Sequence, residues 1–363
     1  MRAWGDPGGR KLGTGQKPCR FGKERTVFMK KGMFAKLALT AMAAVFCMAP
    51  AVQAAELTLK FAGQYPADHP GTKLMQAVAK EIGQKTKGRI EIKVFPGNQL
   101  GDYTLVYEEL IRGTIDMSLT SVPSQFDPRL ELMYINGYVT GYDSAKKAFN
   151  PNGWLFKKMD ELNSRLGVKL LGFYVEGMIG TGTTKPAKDP LNPKVNKGIL
   201  CRVPNMDVYK LGAEAQGYRT VTIPYADVYQ SMQTGVCDGV NGFATTAALT
   251  ALGDVLKYWY ATNYSMECIN FMMSKKTWDK IKPADQKIVA EALTRATMKS
   301  IDEAKALDEQ SMKAMEKKGI KVFRYSEAQL VPIAKAVAAS WPKLEGKMTK
   351  ELISEFRKNL APK

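Results

Sequence analysis

From residue 57 onward the apolar positions switch between two periods. Leu57, Leu59 and Phe61 recur every second residue, and after the loop GQYPADHPG, Leu74, Val78 and Ile82 recur at helical spacing. Pro70 suits the first turn of that helix and Gly88 its end. RIEIKV then places Ile90, Ile92 and Val94 on one face of a second strand. The run from Leu105 to Arg112 predicts a helix, and Met117 and Leu119 in GTIDMSLTS predict a short strand after a turn. This β-α-β-α-β order implies an open, largely parallel sheet and an α/β fold class.

Lys169 to Phe173 predicts a further strand. GMIGTGTTKPAKDPLNPKVNKG follows, dense in Gly and Pro, and reads as a crossing between lobes. Beyond it, GILCRVP and YRTVTIPY predict strands, Ala226 to Thr234 a helix and CDGVNG another strand, so the α/β pattern restarts in a second lobe. Ala284 to Lys318 runs 35 residues without Pro or Gly, bracketed by Pro283 and Gly319. A continuous helix of that length spans roughly 50 Å. It either braces both lobes or breaks in the middle.

Composition agrees with a packed protein, with 45% hydrophobic and 24% charged residues over 363 positions, long enough for two cores. The formal net charge of +18 invites a nucleic-acid reading, but residues 1–54 hold ten basic residues against Asp6 and Glu24. The rest carries 43 basic against 33 acidic residues. They are scattered, without the aromatic interleaving that tracks a nucleic-acid strand, so no nucleic-acid partner is expected. Part of the basic excess belongs to an address: Lys30, Lys31 and Lys36 precede the largely apolar run Leu37 to Met48, and Val52 and Ala54 put small residues at the cleavage positions. This predicts a cleavable secretory signal peptide within residues 1–54, a mature start near Ala55, Met29 or Met33 as the true first residue, and a periplasmic destination. The run is too short to span a bilayer. Bulky Phe46 before Cys47 argues against a lipid anchor.

Candidate chemistry is sparse. Beyond residue 54 there are Cys201, Cys237 and Cys268 and the single His69. Three cysteines allow one disulfide or three buried thiols. No CxxC or HExxH occurs, so neither a metal nor another cofactor is expected. An imidazole-dependent enzyme would have to use His69 in YPADHP. GTGTT at Gly180 to Thr184 lacks the GKS or GKT of a phosphate loop and reads as a flexible linker. Glu108 and Glu109 read as a solvated helix face. Arg202 stands apart: it closes the apolar strand Ile199, Leu200, Cys201 just before Pro204. Ligands of open α/β sheets bind outside the carboxyl ends of strands, and a guanidinium fork can hold a carboxylate through two parallel hydrogen bonds. It holds either a ligand or a neighbouring acidic side chain.

The order GQYPADHPGTKL, KGRIEIKVFPGNQLGDYTLVYEELIRGTIDM, KGILCRVPN and TIPYADVYQSMQTGVCDGVNG resembles the DctP-type substrate-binding protein of a tripartite ATP-independent periplasmic (TRAP) transporter, over residues 56–360. The resemblance implies a two-lobed periplasmic binding-protein fold (class II type) with crossover hinge strands and a long C-terminal brace helix. It implies lobe 1 from residues 55–176 plus 268–307 and lobe 2 from residues 177–267 plus 308–363. It also implies a cleft that closes over a small organic anion, and delivery to small and large integral-membrane subunits of an ion-driven carrier, with no reaction catalysed.

By the same resemblance Arg202 matches the family's carboxylate-binding arginine, with Asn205, Tyr225 and Gln64 beside it. Three departures shape the expected pocket. Ile179 stands where many relatives carry a second arginine, VNGF at Val240 to Phe243 replaces Gln-Glu-Asn-Pro so that Asn241 substitutes only approximately, and Ser121 and Ser124 replace the Glu and Arg of sialic-acid binders. What remains is one fixed charge, neutral hydrogen-bonding groups, and aromatic walls from Tyr65, Tyr174, Tyr225 and Phe243. Glu176 either accepts from a ligand hydroxyl or amine or forms a surface salt bridge. One cation predicts a monocarboxylate or sulfonate ahead of a dicarboxylate or aromatic acid. A ligand sensor reporting to a membrane receptor is the alternative in another class.

Overall fold

The computed structural model describes residues 55–360, and the predicted signal peptide lies outside them. Among the described residues no helix is long and apolar enough to cross a membrane. The first half contains β1 (Leu57–Gly63), α1 (Pro70–Lys85), β2 (Ile90–Phe95), α2 (Tyr103–Arg112), β3 (Met117–Thr120), a 3-10 segment (Pro128–Tyr134), α3 (Tyr142–Ala148), α4 (Trp154–Arg165) and β4 (Val168–Thr183). The middle contains β5 (Leu200–Val203), α5 (Asp207–Ala215), β6 (Arg219–Thr222), α6 (Val228–Gln233), β7 (Gly239–Ala244), α7 (Thr245–Leu252), β8 (Tyr258–Ala261) and β9 (Met266–Ser274). The last third contains α8 (Lys275–Trp278), α9 (Pro283–Lys317), β10 (Lys321–Arg324), α10 (Glu327–Ala338), α11 (Glu345–Met348) and α12 (Lys350–Leu360).

Local chemistry sets the early boundaries. His69 caps α1 by accepting at Nδ1 from the Gly71 amide at 3.0 Å, with Pro70 in the first turn. Asp102 caps α2 through the Thr104 amide at 2.9 Å, and Gly113 ends it in the left-handed region that a glycine enters freely. The single imidazole is therefore a helix cap, stacked on Tyr65 at 3.9 Å between ring centroids. Cys201, Cys237 and Cys268 are all buried free thiols. The disulfide alternative is not realised.

The strands form two sheets that share β4. In one, β2, β1 and β3 run parallel, and β9 pairs antiparallel with both β3 and β4. In the other, β5 lies parallel to β6 and β7, while the far half of β4 pairs antiparallel with β7 and β8. β4 pairs with β9 as far as Met178 and switches to β7 at Ile179. The predicted linker GTGTT is thus mostly strand: Gly180 to Thr183 are the end of β4, and only the residues after them form a loop. Glycines are needed there for closeness rather than flexibility, since a Cβ at Gly180 would lie 2.4 Å from the Trp259 ring.

The long helix α9 is unbroken and packs on β4, α1, α7 and β10, so it touches elements of both sheets. Its polar buried residues have a specific task. β4 carries register shifts between Leu170 and Gly172 and between Val175 and Gly177. Such bulges free backbone N–H groups that must find other acceptors. Thr297 Oγ1 accepts from Phe173 N at 3.0 Å, Ser300 Oγ from Val175 N at 3.0 Å, and Asp308 Oδ2 from Met178 N at 2.8 Å. At the C-terminus, Phe356 of α12 packs on Tyr138 with ring centroids 5.0 Å apart, while Lys347 pairs with Asp207 of α5.

Candidate functional site

Parallel β5 carries Arg202 to its carboxyl end, where Pro204 cannot continue the ladder. The side chain turns inward and is only 2% exposed. Nε donates to the carbonyl of Ile223 at 2.8 Å, and the guanidinium carbon lies 5.5 Å from the Phe243 ring centroid. Among the described residues, no carboxylate forms a salt bridge with it and its Nη groups make no hydrogen bond. Burial lowers the basicity of this group, while the phenols of Tyr103, Tyr225 and Tyr209 act in the other direction.

These free donors face a small, partly open cavity. Gln64 and Tyr65 enter from the end of β1, Ser121 from the end of β3, Glu176 from β4, Tyr225 from the turn after β6, and Phe243 from β7. Gln64 Oε1 accepts from the Ser121 amide at 2.8 Å. Tyr225 and Phe243 stack at 5.4 Å between centroids. The Tyr65 hydroxyl donates to Glu176, which is buried rather than part of a surface salt bridge. Burial raises the Glu176 carboxyl to about 8, against the lowering effect of the Tyr65 hydrogen bond.

Seven of the ten predicted positions therefore line one cavity: Arg202, Gln64, Tyr65, Ser121, Glu176, Tyr225 and Phe243. Three do not. Asn241 is fully buried on the other side of β7, donating to Thr181 Oγ1 at 2.9 Å and accepting from Tyr264. Alternation along a strand turns it away from the face that Gly242 shows the cavity. Asn205 is exposed in the bend before α5, and Ser124 is the third, its Oγ donating to the Asn205 carbonyl at 3.2 Å outside the cavity lining. Beyond those ten, Tyr174, expected as an aromatic wall, does not line the cavity and packs beside Tyr65, their centroids 6.2 Å apart.

Other lining residues escaped the sequence reading: Tyr103, Met206, Tyr209 and Glu267. Glu267 had a usable signal, because a lone carboxylate in the apolar run SMECINFMM has to be buried with it. Both its oxygens accept from the Tyr209 hydroxyl, at 2.8 and 2.6 Å, and burial raises it well above the carboxylate range. Tyr103 and Tyr209 occupy ordinary core positions of amphipathic helices and carried no signal.

The family described as bacterial extracellular solute-binding protein, family 7 (DctP), matches residues 61–347. The C4-dicarboxylate-binding periplasmic protein DctP of Vibrio cholerae is 25% identical over 305 residues, covering 82% of this chain and 89% of that protein. A TRAP periplasmic solute-binding protein from Ralstonia eutropha, bound to (S)-2-acetolactate, superposes with a TM-score of 0.74 at 25% identity, covering 83% of this chain and 98% of that one. Another from Polaromonas, bound to D-erythronate, gives 0.75 at 20% identity, covering 84% and 99%. The two-sheet architecture joined through β4 and braced by α9 is that of the two-lobed TRAP binding proteins, and the family binds solutes for transport rather than catalysing reactions. This chain belongs to the DctP family of bacterial extracellular solute-binding proteins.

Proposed function

We propose that the protein captures a small organic acid bearing one acid group, a monocarboxylate or a sulfonate, in the Arg202 cavity. It then delivers the solute in the periplasm to the small and large membrane subunits of a TRAP carrier. The observation that carries this reading is the buried Arg202 guanidinium, with no acidic partner among the described residues and its Nη donors toward the cavity. A buried unpaired charge is costly, so an anionic occupant restores its balance. Among the described residues Arg202 is also the only cation lining the cavity, which favours one acid group over two. The signal peptide read in residues 1–54 supports export.

Closure belongs to the same proposal. The lobes are residues 55–176 plus 268–307 and residues 177–267 plus 308–363, hinged where β4 and the β8–β9 passage cross between sheets. Gln64, Tyr65, Ser121 and Glu176 then face Arg202, Tyr225 and Phe243 across the division, and a ligand gains contacts from both sides only when closed. A thermal-shift screen of residues 55–363 tests the reading with monocarboxylates, sulfonates, dicarboxylates, aromatic acids and neutral sugars. A ligand at 100 times its dissociation constant adds about 2.7 kcal/mol. Stabilisation by one-acid compounds alone is expected; selective stabilisation by dicarboxylates overturns the single-acid assignment, and stabilisation by neutral sugars alone overturns the acid assignment.

A further inference from the structure

The cavity holds more acid than the capture of an acid requires. Glu176 sits at the bulge of β4 and Glu267 on the neighbouring β9, where Gly177 pairs with Glu267, so two carboxyls enter the same small space. Neither forms a salt bridge among the described residues, and their hydrogen-bond partners are tyrosine hydroxyls, Tyr65 for Glu176 and Tyr209 for Glu267. The rings of Tyr103, Tyr225 and Phe243 line the same space, beside the Gln64 amide and the Ser121 hydroxyl. Carboxyls set among ring faces form an environment that attracts a cation, because both the charge and the ring quadrupole favour it.

We infer that the solute is a zwitterion, whose acid group pairs with Arg202 and whose cationic nitrogen is held at Glu176 and Glu267 among the tyrosine rings. The inference rests on the Arg202 reading above. It balances the site pair for pair: the acid neutralises the guanidinium and the ammonium neutralises one carboxylate, while the other carboxyl stays protonated against its tyrosine. The titratable groups facing Glu176 are Tyr65, Tyr174 and Tyr225, with Asp308 of α9 behind it and Glu267 and Cys268 of β9 beside it.

The test uses matched probes that differ only at the end remote from the acid: 4-aminobutyrate, 4-hydroxybutyrate and butyrate, with taurine, isethionate and ethanesulfonate as the sulfonate set. Titration calorimetry on residues 55–363 should show the amine of at least one set binding about tenfold or more tighter than its hydroxyl and methyl counterparts. Binding of that amine should release a proton, read as a different apparent enthalpy in phosphate and in Tris, because Glu176 holds its proton in the empty site up to about pH 8. Glu176→Gln should abolish both the release and the preference. Hydroxyl probes binding as well as the amines, or no probe in the amine group binding, overturns the zwitterion and leaves the Arg202 reading standing. Amine binding that persists undiminished in Arg202→Ala overturns the Arg202 reading itself.

Discussion

The Nε of Arg202 donates to the backbone carbonyl of Ile223 at 2.8 Å, so the turn after β6 fixes one edge of the guanidinium and leaves its Nη groups for the cavity. That bond orders the side chain before a ligand arrives. Less entropy is then lost on binding, and a planar acid meets a fork already in position.

Gly177 ends the second bulge of β4, two residues before the strand changes sheets. It has φ +135, and a Cβ there would lie 2.4 Å from Asp308 Oδ1, the carboxyl that also holds the Met178 amide. Gly177→Ala is therefore strained twice, in its backbone and in its contact. Chemical denaturation should show a loss of more than about 1 kcal/mol. Unchanged stability would mean that α9 moves away from β4 at no cost.

Stability should depend on pH in two windows. Glu176 and Asp308 are raised by burial, to about 8 and about 7 respectively. The folded chain keeps their protons where the unfolded chain has released them, so stability is greatest below about pH 4 to 4.5 for these groups and falls as pH rises toward 8. His69 has the opposite sign: burial lowers it to about 3, so its contribution is present above about pH 6.5 and is lost as pH falls. Melting temperatures between pH 4 and 9 should therefore fall on the alkaline side in the wild type and flatten there in Glu176→Gln. His69→Asn, which preserves an α1 cap, should flatten the acid side. Parallel profiles for all three proteins would contradict both assignments.

Glu131, buried in the 3-10 segment Pro128–Tyr134, accepts from the Val208 amide at 3.1 Å and so caps α5, whose own N-cap residue Met206 has no side chain to do it. On the proposed division this bond crosses from lobe 1 to lobe 2. Losing a cap costs about 1 kcal/mol. Glu131→Ala should weaken solute binding about fivefold, because closure loses that bond, and Glu131→Gln should restore most of it. Equal affinity in all three proteins, measured by titration calorimetry, would make the bond a purely local cap.

What was legible in the sequence was whatever declares itself through period or punctuation. Leu57, Leu59 and Phe61, Pro70 with Gly88, and the uninterrupted run after Pro283 each fixed an element close to its observed bounds. The end of β4 was misread because its glycines permit close packing on Trp259, and composition alone cannot separate that use from a turn. Half of the cavity was legible because Arg202, Glu176 and Tyr225 lie at strand ends or beside crossings. Asn241 failed on a single step of strand alternation across the bulged pairing of β4 and β7. Thr297, Ser300 and Asp308 were invisible, since their task is set by bulges in a strand more than a hundred residues earlier in the chain.

The most direct test of the account is solute affinity in Arg202→Ala and Arg202→Lys, measured by titration calorimetry with the best compound from the acid screen. Truncating one partner of a buried charge pair costs about 2–5 kcal/mol. Arg202→Ala should thus lose at least about thirtyfold in affinity, with a melting temperature equal to or above that of the wild type because an uncompensated buried charge is gone. Arg202→Lys should recover only part, lacking the second donor of the fork. Wild-type affinity in Arg202→Ala, with the same compound and an intact fold, would contradict the assignment of this cavity as an acid-binding site.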